Sequence, residues 1–395
     1  MPEKELYVLM ISTDRNIFLE GSDAQKRMQE YAALVKELHI IVFTKSGFKE
    51  LPFAPNARTY PTNSLSRWLY VSGAYFLAKR LFWAGNQSDI SLITAQDPFE
   101  TGLAGFFISR TLRRPLHLQV HTDLFAPTFR RGSFINFLRV PIAKFLFRQS
   151  ASIRAVSERI KTSILHKMKF AVNRSPRVTV LPVFVDAEKF INTPPSFDLR
   201  EEYKGFDLLV LVVARLEKEK NVLGALRLLE DTYRAKPNLS VGLVIVGSGS
   251  QEKSLRKHAA RTGLGGAVFF QGWQSDLVSY YKTADLLLVT SEYEGYGRMF
   301  VEAAASGCPV LTRDVGAARD ILASWNSIIC PEKDRVCLLR NLKNLASDRT
   351  LRETLLATAR AGVKRIKFPT KEEYLAAYKR MWEEAAENDA FAPLI

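Results

Sequence analysis

Short, almost uninterrupted apolar runs alternate with segments of helical period along nearly the whole chain. That alternation predicts repeated β-α-β units and parallel sheets. Leu6 to Ile11, Leu38 to Thr44, Ile90 to Ala95, Leu116 to Val120, Ile153 to Val156 and Val178 to Leu181 read as strands of a first sheet. The helix expected after Gly21 starts at Ser22-Asp23-Ala24-Gln25, a capping-box pattern. A second sheet is expected from about Phe206 to Cys330, with strands at Leu208 to Val213, Leu243 to Val246, Val268 to Gln271 and Asp285 to Thr290. Helices follow to about Val363, and Lys371 to Glu387 has the pattern of a terminal amphipathic helix. Between the two sheets, Thr193-Pro194-Pro195-Ser196 interrupts the periodicity and charge becomes dense. The expected organisation is therefore two α/β domains of doubly wound parallel sheet, 1–195 and 196–370, and a C-terminal helical segment, 371–395.

Composition narrows the class. A chain of 395 residues with 47% hydrophobic content can bury two sizeable cores. Cys308, Cys330 and Cys337 show no paired spacing, so neither a disulfide framework nor a zinc site is expected, consistent with a reducing cytoplasm. The start, Met1-Pro2-Glu3-Lys4-Glu5, does not resemble a signal peptide, and no run of about 20 apolar residues argues for a transmembrane span.

Charge is uneven. Residues 1–195 carry 27 Lys and Arg against 15 acids, whereas residues 196–395 carry 29 against 26. Within the first half, cations such as Arg110, Arg130, Arg139, Lys144 and Arg148 are interleaved with Phe125, Phe129, Phe134, Phe137 and Phe145. A basic, aromatic-rich surface attracts anionic lipid headgroups, so peripheral association with the inner face of the plasma membrane is expected. Pro141 interrupts the Arg130-to-Arg148 stretch, and part of that stretch must be core. Trp68, Tyr70, Tyr75, Phe76, Phe82 and Trp83 are expected mostly to face the core. Nucleic-acid binding would also fit the charge, but no recognition motif occurs and the strongest chemistry lies in the less basic half, so no nucleic-acid partner is expected.

That chemistry centres on Ser291-Glu292-Tyr293-Glu294-Gly295-Tyr296-Gly297-Arg298-Met299-Phe300-Val301-Glu302. Two carboxylates stand eight positions apart, Glu294 in a glycine-rich loop and Glu302 about one turn inside a helix that Gly307 ends. Gly295 and Gly297 allow a tight turn and close approach to a ligand, and unpaired N–H groups at the helix start favour an anion such as a diphosphate. The strand Leu208 to Val213 leads into Arg215 and Lys220, placing two cations at its carboxyl end, where open α/β sheets bind ligands. Arg offers a planar fork to phosphate oxygens and Lys a mobile point charge. Gly247-Ser248-Gly249 and Gly272-Trp273 end two further strands, where glycines serve equally as simple turn formers. In the first domain, Gly21 opens a helix and His121-Thr122-Asp123 follows a strand. His121 is the strongest site residue there; Asp123 either orients it or ends the turn.

The ordered set Arg215/Lys220, Gly247-Ser248-Gly249, Gly272 and Glu294-to-Glu302 resembles the donor half of the retaining glycosyltransferases of family 4, with likeness over most of the chain. The resemblance implies the GT-B fold, two Rossmann-like domains facing a cleft, the first holding the acceptor and the C-terminal helix returning to it. It implies Glu294 on donor-sugar hydroxyls, Glu302 on the ribose, Arg215 and Lys220 on the diphosphate, and His121 near the reacting centre. Gly21, Gly247, Gly249, Gly272, Trp273, Gly295, Tyr296, Gly297 and Arg298 complete the expected donor site. Arg298 stands where the family usually has an apolar residue, and Val315-Gly316-Ala317-Ala318-Arg319-Asp320 replaces a glycine pair with a glutamate. Arg298 is open to two readings, a further contact to donor or acceptor and a solvent-facing helix residue. The resemblance also implies retention and no metal; the cations would stabilise the leaving group electrostatically. The paired glutamates do not imply a glycosidase, which needs carboxylates facing one another across the scissile bond. The expected partners are a UDP- or GDP-sugar and a lipid-linked glycan acceptor, in cell-surface polysaccharide or glycolipid synthesis. The alternative within this fold is a nucleotide-sugar epimerase or a soluble-acceptor transferase.

Overall fold

A computed structural model describes residues 5–83, 90–170, 175–323 and 326–388. The chain divides into two compact units, Met1–Pro182 with Pro369–Ile395, and Val183–Phe368.

The first unit runs β1 (Tyr7–Ser12), α1 (Asp23–Ala32), β2 (Glu37–Val42), β3 (Leu51–Ala54), β4 (Ala57–Pro61), α2 (Tyr70–Ala78), β5 (Leu92–Ala95), α3 (Glu100–Leu112), β6 (Leu116–Val120), α4 (Pro127–Gly132), α5 (Phe134–Gln149), β7 (Ser152–Ala155), α6 (Glu158–Met168) and β8 (Arg177–Val180). Its sheet has the order β3-β4-β2-β1-β5-β6-β7-β8, parallel except for β3 against β4. Val8, Leu9, Met10 and Ile11 in central β1 are fully buried, as a strand covered on both faces requires. The chain moves one way from β1 to β2 and the other way from β5 to β8. Right-handed crossovers then put α1 on one face and α2, α3, α5 and α6 on the other.

The second unit runs α7 (Ala187–Asn192), α8 (Leu199–Glu202), β9 (Leu208–Val213), α9 (Val222–Ala235), β10 (Val241–Val246), α10 (Glu252–Arg261), β11 (Val268–Gly272), α11 (Val278–Thr283), β12 (Leu286–Val289), α12 (Arg298–Ser306), β13 (Val310–Arg313), α13 (Ala318–Ile321), β14 (Ser327–Cys330), α14 (Arg335–Ser347) and α15 (Arg349–Gly362). Its parallel sheet has the order β11-β10-β9-β12-β13-β14. The order reverses between β9 and β12. Such a switch point leaves a crevice at the carboxyl ends of the two strands. The second unit begins at Val183, ahead of the Pro-rich segment, because Phe190 packs on Tyr281 and Ser196 bonds Ser279.

The last helix, α16 (Lys371–Ala386), belongs to the first unit. Thr370 and Glu373 form its capping box. Tyr378 stacks on Tyr31 at 4.3 Å between ring centroids, and Trp382 is fully buried. Buried Arg154 of β7 locks this contact. Its guanidinium donates to Leu181 O (2.9 Å), Gln119 Oε1 (3.0 Å), Pro182 O (2.7 Å) and Tyr374 Oη (3.1 Å).

Several expectations are corrected. The edge pair β3 and β4 was not foreseen, because Pro52, Pro55 and Pro61 obscure its strand character. Pro141 lies inside α5 rather than ending it; burial of Val140, Ala143, Leu146 and Phe147 offsets a cost of about 3 kcal/mol for an interior proline. At α1, Ser22 Oγ accepts from Gln25 N, but the Gln25 side chain accepts from Gly21 N, so the reciprocal bond falls one residue early. Trp68, Phe76 and Trp83 are exposed, not core-facing. Cys330 and Cys337 are joined by a disulfide, and Cys308 is a buried free thiol. Spacing could not show this, because the turn from β14 into α14 brings the two cysteines together.

Candidate nucleotide-sugar site

The carboxyl ends of β9 and β12 carry Arg215, Lys220, Glu294 and the glycine loop that leads to Glu302. Beyond β9 the chain makes a 3-10 turn at Lys218–Lys220 and enters α9 through Asn221, whose φ is 48°. Beyond β12 it runs through the glycine loop into α12. Backbone and side-chain bonds tie these loops together: Thr290 Oγ1 donates to Asn221 O (2.9 Å), Asn221 Nδ2 to Thr290 O (3.3 Å) and Glu292 N to Glu219 O (2.9 Å).

This stitching brings Lys220 Nζ to 2.6 and 2.7 Å from the two carboxylate oxygens of Glu294. Ser291 Oγ donates to Glu294 Oε1 at 2.8 Å. The lysine and glutamate side chains are only 17% and 7% exposed, so the pair is largely removed from water. Losing one partner would strand a buried charge. Arg215 differs: its side chain is 73% exposed and its guanidinium reaches Glu219 at 3.1 Å. The two cations foreseen as a pair therefore occupy different environments.

Gly297 caps α12 with φ 90°, and a Cβ there would lie 2.7 Å from the Phe300 ring. The fully buried Phe300 anchors the helix start. One turn further, buried Glu302 accepts from Tyr281 Oη at 2.9 Å and lies 3.7 Å from Arg298 Nε. Burial raises the Glu302 pKa, while Arg298 and the Tyr281 bond pull it down. Of the two readings of Arg298, the structure shows an exposed helix residue whose guanidinium also faces Glu302.

The structure adds residues that sequence reasoning missed. Gly316 has φ 56°, and a Cβ there would meet Tyr296 O at 2.6 Å and Glu294 Cβ at 2.8 Å. Ala317 N donates to Tyr296 O at 2.9 Å, so the turn after β13 supports the glycine loop from beneath. Tyr281 and Ser291 position the two carboxylates. The signal for Gly316 was a glycine in the turn three residues beyond β13, a weaker mark than that of Gly247, which directly follows β10.

The other glycines have packing reasons. A Cβ on Gly247 would fall 1.9 Å from Ala214 O and one on Gly249 2.5 Å from Leu216 O, so the loop after β10 lies backbone to backbone on the loop carrying Arg215. Gly272 has φ 67° and its carbonyl accepts from Gly247 N at 2.6 Å; Trp273 beside it is exposed. Gly295 and Tyr296 lie in the loop that ends at Gly297.

Gly21 and His121 belong to the first unit. Gly21, with φ 73°, makes the turn into α1. His121 immediately follows β6. Desolvation, then the charges of Arg154 and Arg27, hold the pKa of this solvent-exposed residue below the ordinary imidazole range, so the ring is neutral at pH 7. Asp123 does not orient it: that carboxylate accepts from Phe125 N and Ser163 Oγ.

Residues 200–362, which contain the switch point and both glutamates, match the model of the family Glycosyl transferases group 1. This part of the chain is a Glycosyl transferases group 1 domain. The chain is 26% identical over 239 residues to the alpha-monoglucosyldiacylglycerol synthase of Streptococcus pneumoniae, covering 57% of this chain and 52% of that protein. It is 26% identical over 245 residues to the GDP-mannose-dependent monoacylated alpha-(1-6)-phosphatidylinositol monomannoside mannosyltransferase of Corynebacterium glutamicum, covering 59% and 63%. The matches thus span about half to three-fifths of these relatives. Among solved structures, Anabaena HepE in complex with UDP and glucose superposes with a TM-score of 0.66 at 20% identity, covering 91% of this chain and 95% of HepE. The fold is GT-B.

Proposed function

We propose that the chain is a retaining glycosyltransferase of family 4. It moves a sugar from a UDP- or GDP-sugar to a hydroxyl of a lipid-linked glycan precursor, in cell-surface polysaccharide or glycolipid synthesis at the inner face of the plasma membrane. The observation that carries this reading is the buried Lys220–Glu294 pair at the β9/β12 switch point, with Glu302 buried on α12, the helix that follows the same loop. Each member has a natural ligand group: the ammonium the donor diphosphate, Glu294 the hydroxyls of the transferred sugar, Glu302 the ribose. A bound donor would offer both halves of the pair new partners at once. The similarity to a diacylglycerol-glucosylating and a phosphatidylinositol-mannoside-mannosylating relative favours a lipid-linked acceptor, and UDP in HepE favours a nucleotide donor.

In the proposed reaction the bond between the anomeric carbon and the diphosphate oxygen breaks, and the acceptor oxygen bonds to the same face of that carbon. The acceptor proton passes to the departing diphosphate. Lys220 and Arg215 stabilise the charge that develops on the diphosphate oxygens, so the reaction needs no metal. His121, neutral, acts as a hydrogen-bonding group for a sugar or acceptor hydroxyl rather than as a cation.

Thermal shift with UDP, GDP and their sugar conjugates tests the donor site, using wild type and Glu302→Ala. A nucleotide-specific shift in wild type that shrinks in the variant is expected; no shift, or one unchanged in the variant, refutes the assignment. Nucleotide release should require a lipid-linked acceptor and persist in a metal chelator. Release with soluble sugars alone would favour a soluble-acceptor transferase.

A further inference from the structure

The helices on one face of the first sheet carry an exposed aromatic surface that a buried core does not explain. α2 packs on α3, and α3 on α5. Rings run across all three: Phe76 meets Tyr75 at 5.4 Å, Tyr75 meets Phe107 at 6.5 Å, Phe107 meets Phe106 at 5.5 Å and Phe106 meets Phe145 at 5.1 Å. Phe76, in this set, is 65% exposed; outside it, Trp68 in the turn that enters α2 is 87% exposed and Phe134 at the start of α5 78%. Isolated apolar side chains on a surface are ordinary, but a connected set of this extent marks an interaction site.

Charge says what the partner is. The stretches 62–83 and 100–149, which supply this surface, hold eleven Lys and Arg against two acids, Glu100 and Asp123. Several cations lie over the rings themselves: Lys79 is 4.8 Å from the Trp83 ring, Arg110 5.3 Å from Phe106, Arg130 6.0 Å from Phe137 and Lys144 5.8 Å from Phe125. Arg139 lies 5.2 Å from the Phe99 ring and is also paired with Glu100 at 2.9 Å. Interleaved rings and cations match the boundary of an anionic bilayer, where rings enter the acyl margin and cations meet phosphates. No helix among the described residues is long and apolar enough to cross a membrane, so the contact is with the surface.

We infer that the α2–α3–α5 face is a docking surface for an anionic phospholipid bilayer, seated through Trp68, Phe76 and Phe134 and steered by Lys79, Arg110 and Arg130. The inference gives the lipid-linked acceptor of the proposed function a physical route to the enzyme, and rests on that function only for its purpose. Docking is electrostatically recruited and then held by ring insertion, so it depends on both lipid charge and salt.

The experiment is flotation of the full chain with vesicles of phosphatidylcholine alone, or with about a third phosphatidylglycerol, at low and high salt. Binding should require the anionic lipid and weaken with salt. Lys79→Ser and Arg130→Ser should each lower partition about fivefold. Trp68→Ser and Phe134→Ser should each lower it roughly tenfold, and the fluorescence blue shift on vesicle addition should shrink in Trp68→Phe. UDP titration of each variant checks the fold, since none of these residues is in the donor site. Absent partition, or partition unchanged in all four serine variants, overturns the inference. So does variant-sensitive binding to an RNA homopolymer with no preference for anionic over neutral vesicles. Vesicle binding without any UDP-sugar binding would instead refute the proposed function and leave the surface standing.

Discussion

Replacing Lys220 by Met removes the cation from a pair whose members are only 17% and 7% exposed. Glu294 would keep Ser291 Oγ at 2.8 Å but lose both ammonium contacts. Stranding a buried charge in this way costs about 3 to 5 kcal/mol, and one surviving hydrogen bond places the loss near the lower end, at about 3 kcal/mol. Denaturant unfolding of Lys220→Met, Glu294→Gln and the double variant measures the coupling, expected at about 2 kcal/mol or more. The pair also constrains binding. In Glu294→Gln the ammonium is released for the diphosphate, so UDP alone should bind several-fold more tightly while turnover of a sugar donor falls. In Lys220→Met, turnover should fall by about two to three orders of magnitude, the usual effect of removing one preorganised electrostatic group. A coupling below about 0.5 kcal/mol would mean an open pair in solution, equivalent to a surface ion pair. Together with unchanged UDP affinity in Glu294→Gln, it would refute the reasoning.

Gly316→Ala places a methyl 2.6 Å from Tyr296 O at a φ of 56°, and should cost about 1 to 2 kcal/mol in unfolding experiments while weakening sugar-donor binding through Glu294. Burial raises the Glu302 pKa above 4.5, so its carboxylate destabilises the fold as pH rises through the shifted value and not below 4.5. Glu302→Gln should therefore be more stable than wild type at neutral pH, with the gain lost in acid, and should bind donor less well; melting curves across pH test the sign. Alkylation of denatured, unreduced protein should trap one thiol, Cys308, rising to three after reduction.

The apolar runs made the two parallel sheets legible from sequence, because strands covered on both faces need continuous burial. Gly295, Gly297, Glu294, Glu302 and Lys220 were legible because tight loops at strand ends and a carboxylate near a helix start leave local marks. What pairs with what was not local. Lys220 and Glu294 are 74 residues apart and meet because β9 and β12, distant in sequence, are neighbours in the sheet. Gly316 supports Glu294 from the next strand's turn, and only the fold shows that its missing Cβ makes room. The aromatic residues of α2, α3 and α5 show the same limit. Hydropathy marked them as apolar, which served equally for core and surface. Helix packing decided which rings the sheet covers and which it leaves exposed, because burial depends on what lies opposite a side chain, not on the side chain itself.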